Sequence, residues 1–187
     1  LSAADNDLLC RVEGDAPMGR LMRAHWIPAC LSEEVAEPDG KPAAFRLLGE
    51  DLVAFRDTHG KLGVLDLHCP HRRASLALAR NEECGLRCLY HGWKMDVTGR
   101  VVDRPSEPPG AGSEARLQHR AYPSRESGGF VWVWMGDPAT PATTVLQSRA
   151  GGSCRQLAVA PQQVQEPHQR QAEDCEVVAV DAGECLR

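Results

Sequence analysis

Residues Cys69-Pro70-His71 and Cys88-Leu89-Tyr90-His91 place a C-x-H pair and a C-x-x-H pair in one chain, with sixteen residues between them. If the pairs act as one site, any fold of this chain must bring these two segments together. Each is bordered by strand-like sequence, so each reads as a loop offering one thiolate and one imidazole to a shared point. Pro70 stiffens the first loop, and Gly92 lets backbone approach closely in the second. Two cysteines with two histidines suit a [2Fe–2S] centre of mixed ligation: Cys69 and Cys88 on one iron, His71 and His91 on the other. Neutral imidazoles bring less negative charge than thiolates, so such a centre is easier to reduce than one held by four cysteines. The same donors also compose a Cys2His2 structural zinc site, which is the plainer alternative.

The sequence around the motifs is strand-rich. Phe45 to Leu48, Leu52 to Arg56 and Leu62 to Leu65 read as short strands, with Asp57-Thr58-His59-Gly60 as the hairpin between the last two. Further strands are expected at Leu86 to Tyr90, Trp93 to Val97, Val101-Val102 and Gly129 to Met135, with a turn at Thr98-Gly99. Before them, Asp15 and Pro17 look like the cap and first turn of a helix running through Trp26. Phe130, Trp132 and Trp134, alternating with Val131 and Val133, suggest a buried strand with two packed faces. Many short strands with glycine-marked turns predict an all-β fold, a small antiparallel sandwich or partly open barrel.

Composition divides the chain near Gly136. All nine aromatic residues precede it, and seven of the eight glutamines follow it. The segment 137–187 is therefore read as a largely irregular tail, with Val177 to Val180 its one strand-like patch. The expected organisation is an N-terminal strap over 1–40, the metal-binding domain over 41–136, and that tail. A net charge of −5 argues against a chain built to coat nucleic acid. No apolar run approaches a membrane span. No export signal is read in the first thirty residues, so a cytoplasmic location is expected, where cysteines serve as ligands or core residues more often than as disulfides. Cys84 is read as a spectator thiol, because using it instead of Cys88 would break the C-x-x-H spacing. His68 is read as an ordinary strand-end histidine, and Cys10 and Cys30 as small packed residues. Arg72, Arg73, Arg80 and Arg87 make the ligand loops basic; they either steer an acidic partner and offset cluster charge, or form a solvated face.

At these residues the chain resembles the Rieske iron–sulfur family. The words Cys69-Pro70-His71-Arg72, Arg80-Asn81-Glu82-Glu83, Gly85 to Lys94 and Asp96-Val97-Thr98-Gly99 are similar to those of ring-hydroxylating oxygenases of the phthalate dioxygenase-like branch. Likeness extends through Met18-Gly19 to Pro28, Leu48 to Arg56 and Pro105 to Pro108, and covers roughly residues 5–136. High-potential respiratory members of the family resemble one another in carrying Ser and Tyr two and four positions after the last histidine ligand. Here those positions are Trp93 and Met95, which lack hydroxyl donors, so a lower, oxygenase-like potential is expected.

The resemblance implies a Rieske-type fold with the cluster at the tip of two loops. It also implies one-electron transfer from a reductase, or from a ferredoxin fed by NAD(P)H, toward oxygen activation on an aromatic substrate. Protonation of His71 and His91 is expected to couple to reduction, so that the potential falls as pH rises. Complete relatives add a domain whose mononuclear Fe(II) is held by two histidines and a carboxylate. After His91 only His119 and His168 remain, and neither has a helical companion histidine, so no catalytic residue and no second iron site are expected in this chain. The end of the likeness beside Met135-Gly136-Asp137-Pro138 is read as a frameshift, stop or truncation, with Cys154, Cys175 and Cys185 as accidental thiols. A monomer or weak oligomer is expected. The reading from another functional class is a stand-alone Rieske-type ferredoxin or metal-binding module without a substrate.

Overall fold

The computed structural model describes residues 2–108 and 117–137. Two short helices, α1 (Ala3–Cys10) and α2 (Pro17–Arg23), lead into β1 (Trp26–Leu31), β2 (Ala43–Leu47), β3 (Glu50–Arg56) and β4 (Leu62–Asp66). After the loop that holds Cys69 and His71 come β5 (Arg80–Glu82), β6 (Gly85–Arg87), β7 (Lys94–Met95) and β8 (Val101–Asp103), then β9 (Ser124–Ser127) and β10 (Phe130–Trp134). Every described residue belongs to one compact unit. Apart from Asp137, the expected tail, with Val177 to Val180, His168, Cys154, Cys175 and Cys185, lies outside the described residues.

Among the described residues, all strand pairs are antiparallel, in three sheets ordered β1-β10-β9, β2-β3-β4 and β5-β6-β7-β8. Strands β3 and β4 are buried on both faces, and the two-residue period of a strand divides their side chains between two cores. Leu52 and Ala54 of β3 and Val64 of β4 pack with Ile27, Val131 and Val133 of the β1-β10-β9 sheet. Val53 and Phe55 of β3 and Leu65 of β4 face the other way, onto Leu76, Leu86, Met95 and the two cysteines Cys69 and Cys88. This is why Leu52-Val53-Ala54-Phe55 is an unbroken apolar run, fully buried, rather than an alternating one. Cys69 and Cys88 are thus anchored in a core.

The expected strands appear near their expected places, but those expected at Leu86 to Tyr90 and Trp93 to Val97 are shorter, ending at Arg87 and covering only Lys94–Met95, because residues 88–93 turn as a loop. Asp57, 3% exposed, closes the β3–β4 turn by accepting the N–H groups of His59 and Lys61 at 2.9 and 2.8 Å. Three local expectations are corrected. The helix expected through Trp26 stops at Arg23, and its cap is Ala16 rather than Asp15. Trp26 instead opens β1, pairing with Trp134 of β10, because the apolar side chains of Ile27 and its neighbours are needed on a sheet. Phe130 does not pack on a second face: it is 42% exposed, while Val131 and Val133 on the opposite face are fully buried. Two elements escape a reading of periodicity altogether. Helix α1 buries no residue and depends on a capping box between Ser2 and Asp5, and β9 is the polar run Ser124–Ser127.

Arg23 fastens the helical segment to the sheets. Its guanidinium donates to the carbonyls of Val12 and Leu48 at 3.0 and 2.9 Å and to the Glu50 carboxylate at 2.9 Å. Glu50 also takes the hydroxyl of Tyr122 and the guanidinium of Arg120. Burial alone would raise the Glu50 carboxyl, but the Tyr122 and Arg23 hydrogen bonds and the Arg120 charge hold it below the usual carboxylate range. Among the described residues, no helix is long and apolar enough to cross a membrane.

Candidate metal centre

The loops that begin at Cys69 and Cys88 share one wiring diagram. In the first, which leaves β4, His68 and Ser75 bridge across the base. The Cys69 N–H donates to the Ala74 carbonyl at 2.9 Å, and the Arg73 N–H donates to the Cys69 carbonyl at 2.9 Å. In the second, between β6 and β7, Arg87 and Lys94 pair across the base. The Cys88 N–H donates to the Trp93 carbonyl at 2.8 Å, and the Gly92 N–H donates to the Cys88 carbonyl at 3.0 Å. Each cysteine therefore starts an equivalent loop. The fifth residue of each has the left-handed backbone: Arg73 at φ 56° and Gly92 at φ 75°. The histidine is the third residue of one loop and the fourth of the other.

The donors segregate by type. Cys69 and Cys88 are 2% and 4% exposed, and Cys88 lies close enough to Cys69 to disfavour a charge on its sulfur. Burial pushes the Cys69 thiol up to about 11; the His71 and Arg72 N–H groups on its sulfur oppose this, while the neighbouring Cys88 adds to it. Those same N–H groups stabilise a sulfur that carries negative charge. The imidazoles of His71 and His91 meet edge to face with centroids 4.6 Å apart. His71 also lies flat on the Trp93 indole, and Tyr90 covers His91 at 3.8 Å. Partial desolvation, with His71 and Arg72 close by, lowers the His91 pKa and favours the neutral, metal-binding form.

Two buried polar atoms at this spot have no hydrogen-bond partner, His91 Nδ1 and Trp93 Nε1. A buried imidazole nitrogen with nothing to bond is costly unless something electrophilic belongs beside it. Among the described residues, no group of three or more His, Cys, Asp or Glu converges on one ion. A thiol pair beside an imidazole pair matches a binuclear cluster, in which each iron takes two protein donors, better than a tetrahedral zinc ion, which needs all four at one point. The residues present fit a [2Fe–2S] group.

The other residues singled out from sequence lie elsewhere. The His68 ring turns toward Asp66, at 3.7 Å. Cys84 sits with Glu83 in the β5–β6 turn, both with positive φ, and its N–H donates to Thr58 Oγ1 at 2.9 Å. His119 is 5% exposed, with Nε2 2.9 Å from the Asp66 carbonyl, which keeps it in the fold rather than at a metal. Trp93 and Met95 carry no hydroxyl to the site, and Met95 is fully buried in the core. Gly92 differs from expectation: its missing Cβ would lie 2.6 Å from Pro105 Cγ, so the close approach it permits is to Pro105. Sequence reading did not find Pro105 as a cover for the second loop, nor Trp93 as the platform for His71. Both contacts cross between segments that no local spacing connects.

Comparison with known proteins identifies the family. Residues 25–123 match the family model of the Rieske [2Fe-2S] domain. The chain belongs to the Rieske [2Fe-2S] family. This Rieske domain is 62% identical over 136 residues to the phthalate 4,5-dioxygenase oxygenase subunit of Pseudomonas putida, an alignment covering 73% of this chain and 31% of that protein. It is 48% identical over 146 residues to the 3-chlorobenzoate-3,4-dioxygenase oxygenase subunit of Comamonas testosteroni, covering 76% and 34%. Among solved structures, dicamba monooxygenase with non-heme iron and dicamba superposes with a TM-score of 0.58 at 34% identity, covering 66% of this chain and 37% of that one. An oxygenase–ferredoxin complex of carbazole 1,9a-dioxygenase superposes with a TM-score of 0.53 at 32% identity, covering 62% and 29%. The chain spans about a third of the length of the curated relatives it matches. It is homologous to the N-terminal part of ring-hydroxylating oxygenase subunits.

Proposed function

We propose that Cys69 and Cys88 ligate one iron and His71 and His91 the other, and that the chain is the electron-relay domain of an oxygenase acting on an aromatic carboxylate. The observation that carries the ligand assignment is the segregation of donors: two buried thiols in mutual contact, two imidazoles in mutual contact, and an orphaned His91 Nδ1. When bound, the cluster supplies one-electron exchange. The chain's residues do the rest. The N–H groups of His71 and Arg72 bond the Cys69 sulfur, the hydrophobic core excludes water from both thiols, and Trp93 holds the His71 ring.

The substrate class comes from relatives named for phthalate and 3-chlorobenzoate. The donor class, a reductase or ferredoxin, is supported by the carbazole dioxygenase oxygenase solved with its ferredoxin. His119 is the only described histidine after His91, so the oxygen-activating iron of this reading is not assigned to the described residues. A cytoplasmic location and a monomeric or weakly associating chain belong to the same reading.

Anaerobic loading of the full chain with iron and sulfide tests the assignment. Two irons and two sulfides per chain, with one-electron reduction by NADH and an oxygenase-type reductase, are expected. Cys69→Ala or His91→Ala abolishes loading. A colourless protein carrying one zinc would overturn the reading.

A further inference from the structure

Arg87 is the last residue of β6 and immediately precedes Cys88. Its side chain is 15% exposed, yet it meets four acceptors. Nε donates to Glu82 at 2.9 Å, and Nη2 reaches Glu83 at 3.4 Å. Nη1 donates both to Asp103 at 2.6 Å and to the Gly92 carbonyl at 3.0 Å. The last contact touches the ligand loop. The Gly92 N–H is already held by the Cys88 carbonyl, so Arg87 fixes the next peptide group of the same residue. His91 precedes Gly92 directly. With these two restraints on Gly92, the backbone that aims the His91 ring has little freedom.

The strand register adds an electrostatic role. Arg87 lies between Arg80 of β5 and Lys94 of β7, so three cations stand abreast. Like charges directly opposite destabilise a sheet unless counter-charges lie between them. Glu82 serves Arg80 and Arg87, Glu83 serves Arg87 and Lys94, and Asp103 closes on Arg87. Three cations balance three carboxylates, and Arg87 is the member bonded to all three carboxylates. Without it, the group becomes net negative next to Cys88.

Building on the ligand assignment above, we propose that Arg87 is a positioning residue for the second ligand pair: its guanidinium fork aims His91 through the Gly92 carbonyl, and its charge sets the local field that the cluster's electron enters. The planar fork does both; a lysine ammonium supplies only the charge.

The test uses the full chain loaded anaerobically with iron and sulfide. The readouts are midpoint potential, the EPR spectrum of the reduced state, and the rate at which a chelator strips the cluster. Arg87→Met is expected to lower the potential, alter the EPR line positions and speed stripping about tenfold or more. Arg87→Lys restores the potential toward wild type but leaves stripping fast. Asp103→Asn, which keeps the fork and removes one negative charge, raises the potential. A scaffold-only role would change melting without this opposite pair of potential shifts. If R87M fails to fold, the other two variants decide: an unmoved potential in D103N overturns the charge role, and wild-type stripping in R87K overturns the fork role. A wild-type chain that takes up no sulfide overturns the ligand assignment and this inference with it. A loaded wild type that R87M matches in every readout overturns this inference alone.

Discussion

The His71 imidazole lies on the Trp93 indole with ring planes 4° apart and centroids 4.7 Å apart. A side chain of the loop from Cys88 is therefore the platform for the histidine of the loop from Cys69. Trp93 is 6% exposed and belongs to the core that holds both cysteines. Trp93→Ala is expected to cost about 3–5 kcal/mol of apo-protein stability, and Trp93→Phe, which keeps a stacking ring, about 1 kcal/mol. Urea unfolding of the two variants checks this. A W93A cost no larger than that of W93F would mean the indole is not packed as described.

The matched loops make opposite predictions at matched positions. Arg73 holds φ 56° without being glycine, a strain of about 1–2 kcal/mol, so Arg73→Gly is expected to stabilise the apo-protein by up to about 1 kcal/mol after the added freedom of the unfolded chain. Gly92→Ala meets both a φ of 75° and the Pro105 ring, and is expected to lose about 2 kcal/mol or more. Denaturant midpoints moving in the same direction for both variants would contradict the shared loop geometry.

Acid stability follows from Glu50. Its folded pKa lies below its unfolded value, so the unfolded chain binds the proton more readily. The stabilisation is complete above the ordinary carboxylate pKa and is lost as pH falls through the lowered one. The apo-protein should lose stability on acidification from about pH 5 downward. Glu50→Gln should flatten that profile and weaken the hold of Arg23 on the helical segment. An E50Q profile parallel to wild type would remove Glu50 from the account.

The alkaline side has the opposite sign. Burial holds Cys69 near 11, and Cys30, half-buried beside Glu34 and Glu126, is pushed up to about 11 as well. The folded apo-protein keeps these protons better than the unfolded chain does. Their contribution is whole below the ordinary thiol value of about 9 and fades as pH rises toward 11. Unfolding free energies from pH 8 to 11 should fall in wild type and fall less in Cys30→Ala. A level wild-type profile would show that these thiols are not buried as described.

Cluster removal is the last expectation. Ligand binding to the folded state alone must stabilise it, and thiol ligation releases protons. The loaded chain should melt above the apo chain, and anaerobic loading should weaken as pH is lowered. Equal melting temperatures for the two forms would mean that the cluster is not held by the folded loops.

Much of this was already legible in residue order. The Rieske [2Fe-2S] family could be read from Cys69-Pro70-His71 and Cys88-Leu89-Tyr90-His91, because ligand chemistry restricts which side chains stand at such spacings. The hairpin from Leu52 to Leu65 follows from apolar runs on either side of a turn, a local matter of backbone sterics and strand period. Where local signals compete, as at Trp26, partner strands decide, and Trp26 joins Trp134 across β1 and β10. The polar β9 has no hydrophobic signal and exists because β10 offers it hydrogen bonds. Residue order also could not reveal that Cys69 and Cys88 occupy the same position of two identically bonded loops, or that Pro105 covers Gly92. Nor could it show that Arg87 turns to the Gly92 carbonyl rather than to solvent. Chemical identity and local period are properties of the chain itself. The meeting of loops, the sharing of one guanidinium among four acceptors and the burial of a thiol depend on which distant segments compete for the same space, and only packing settles that competition.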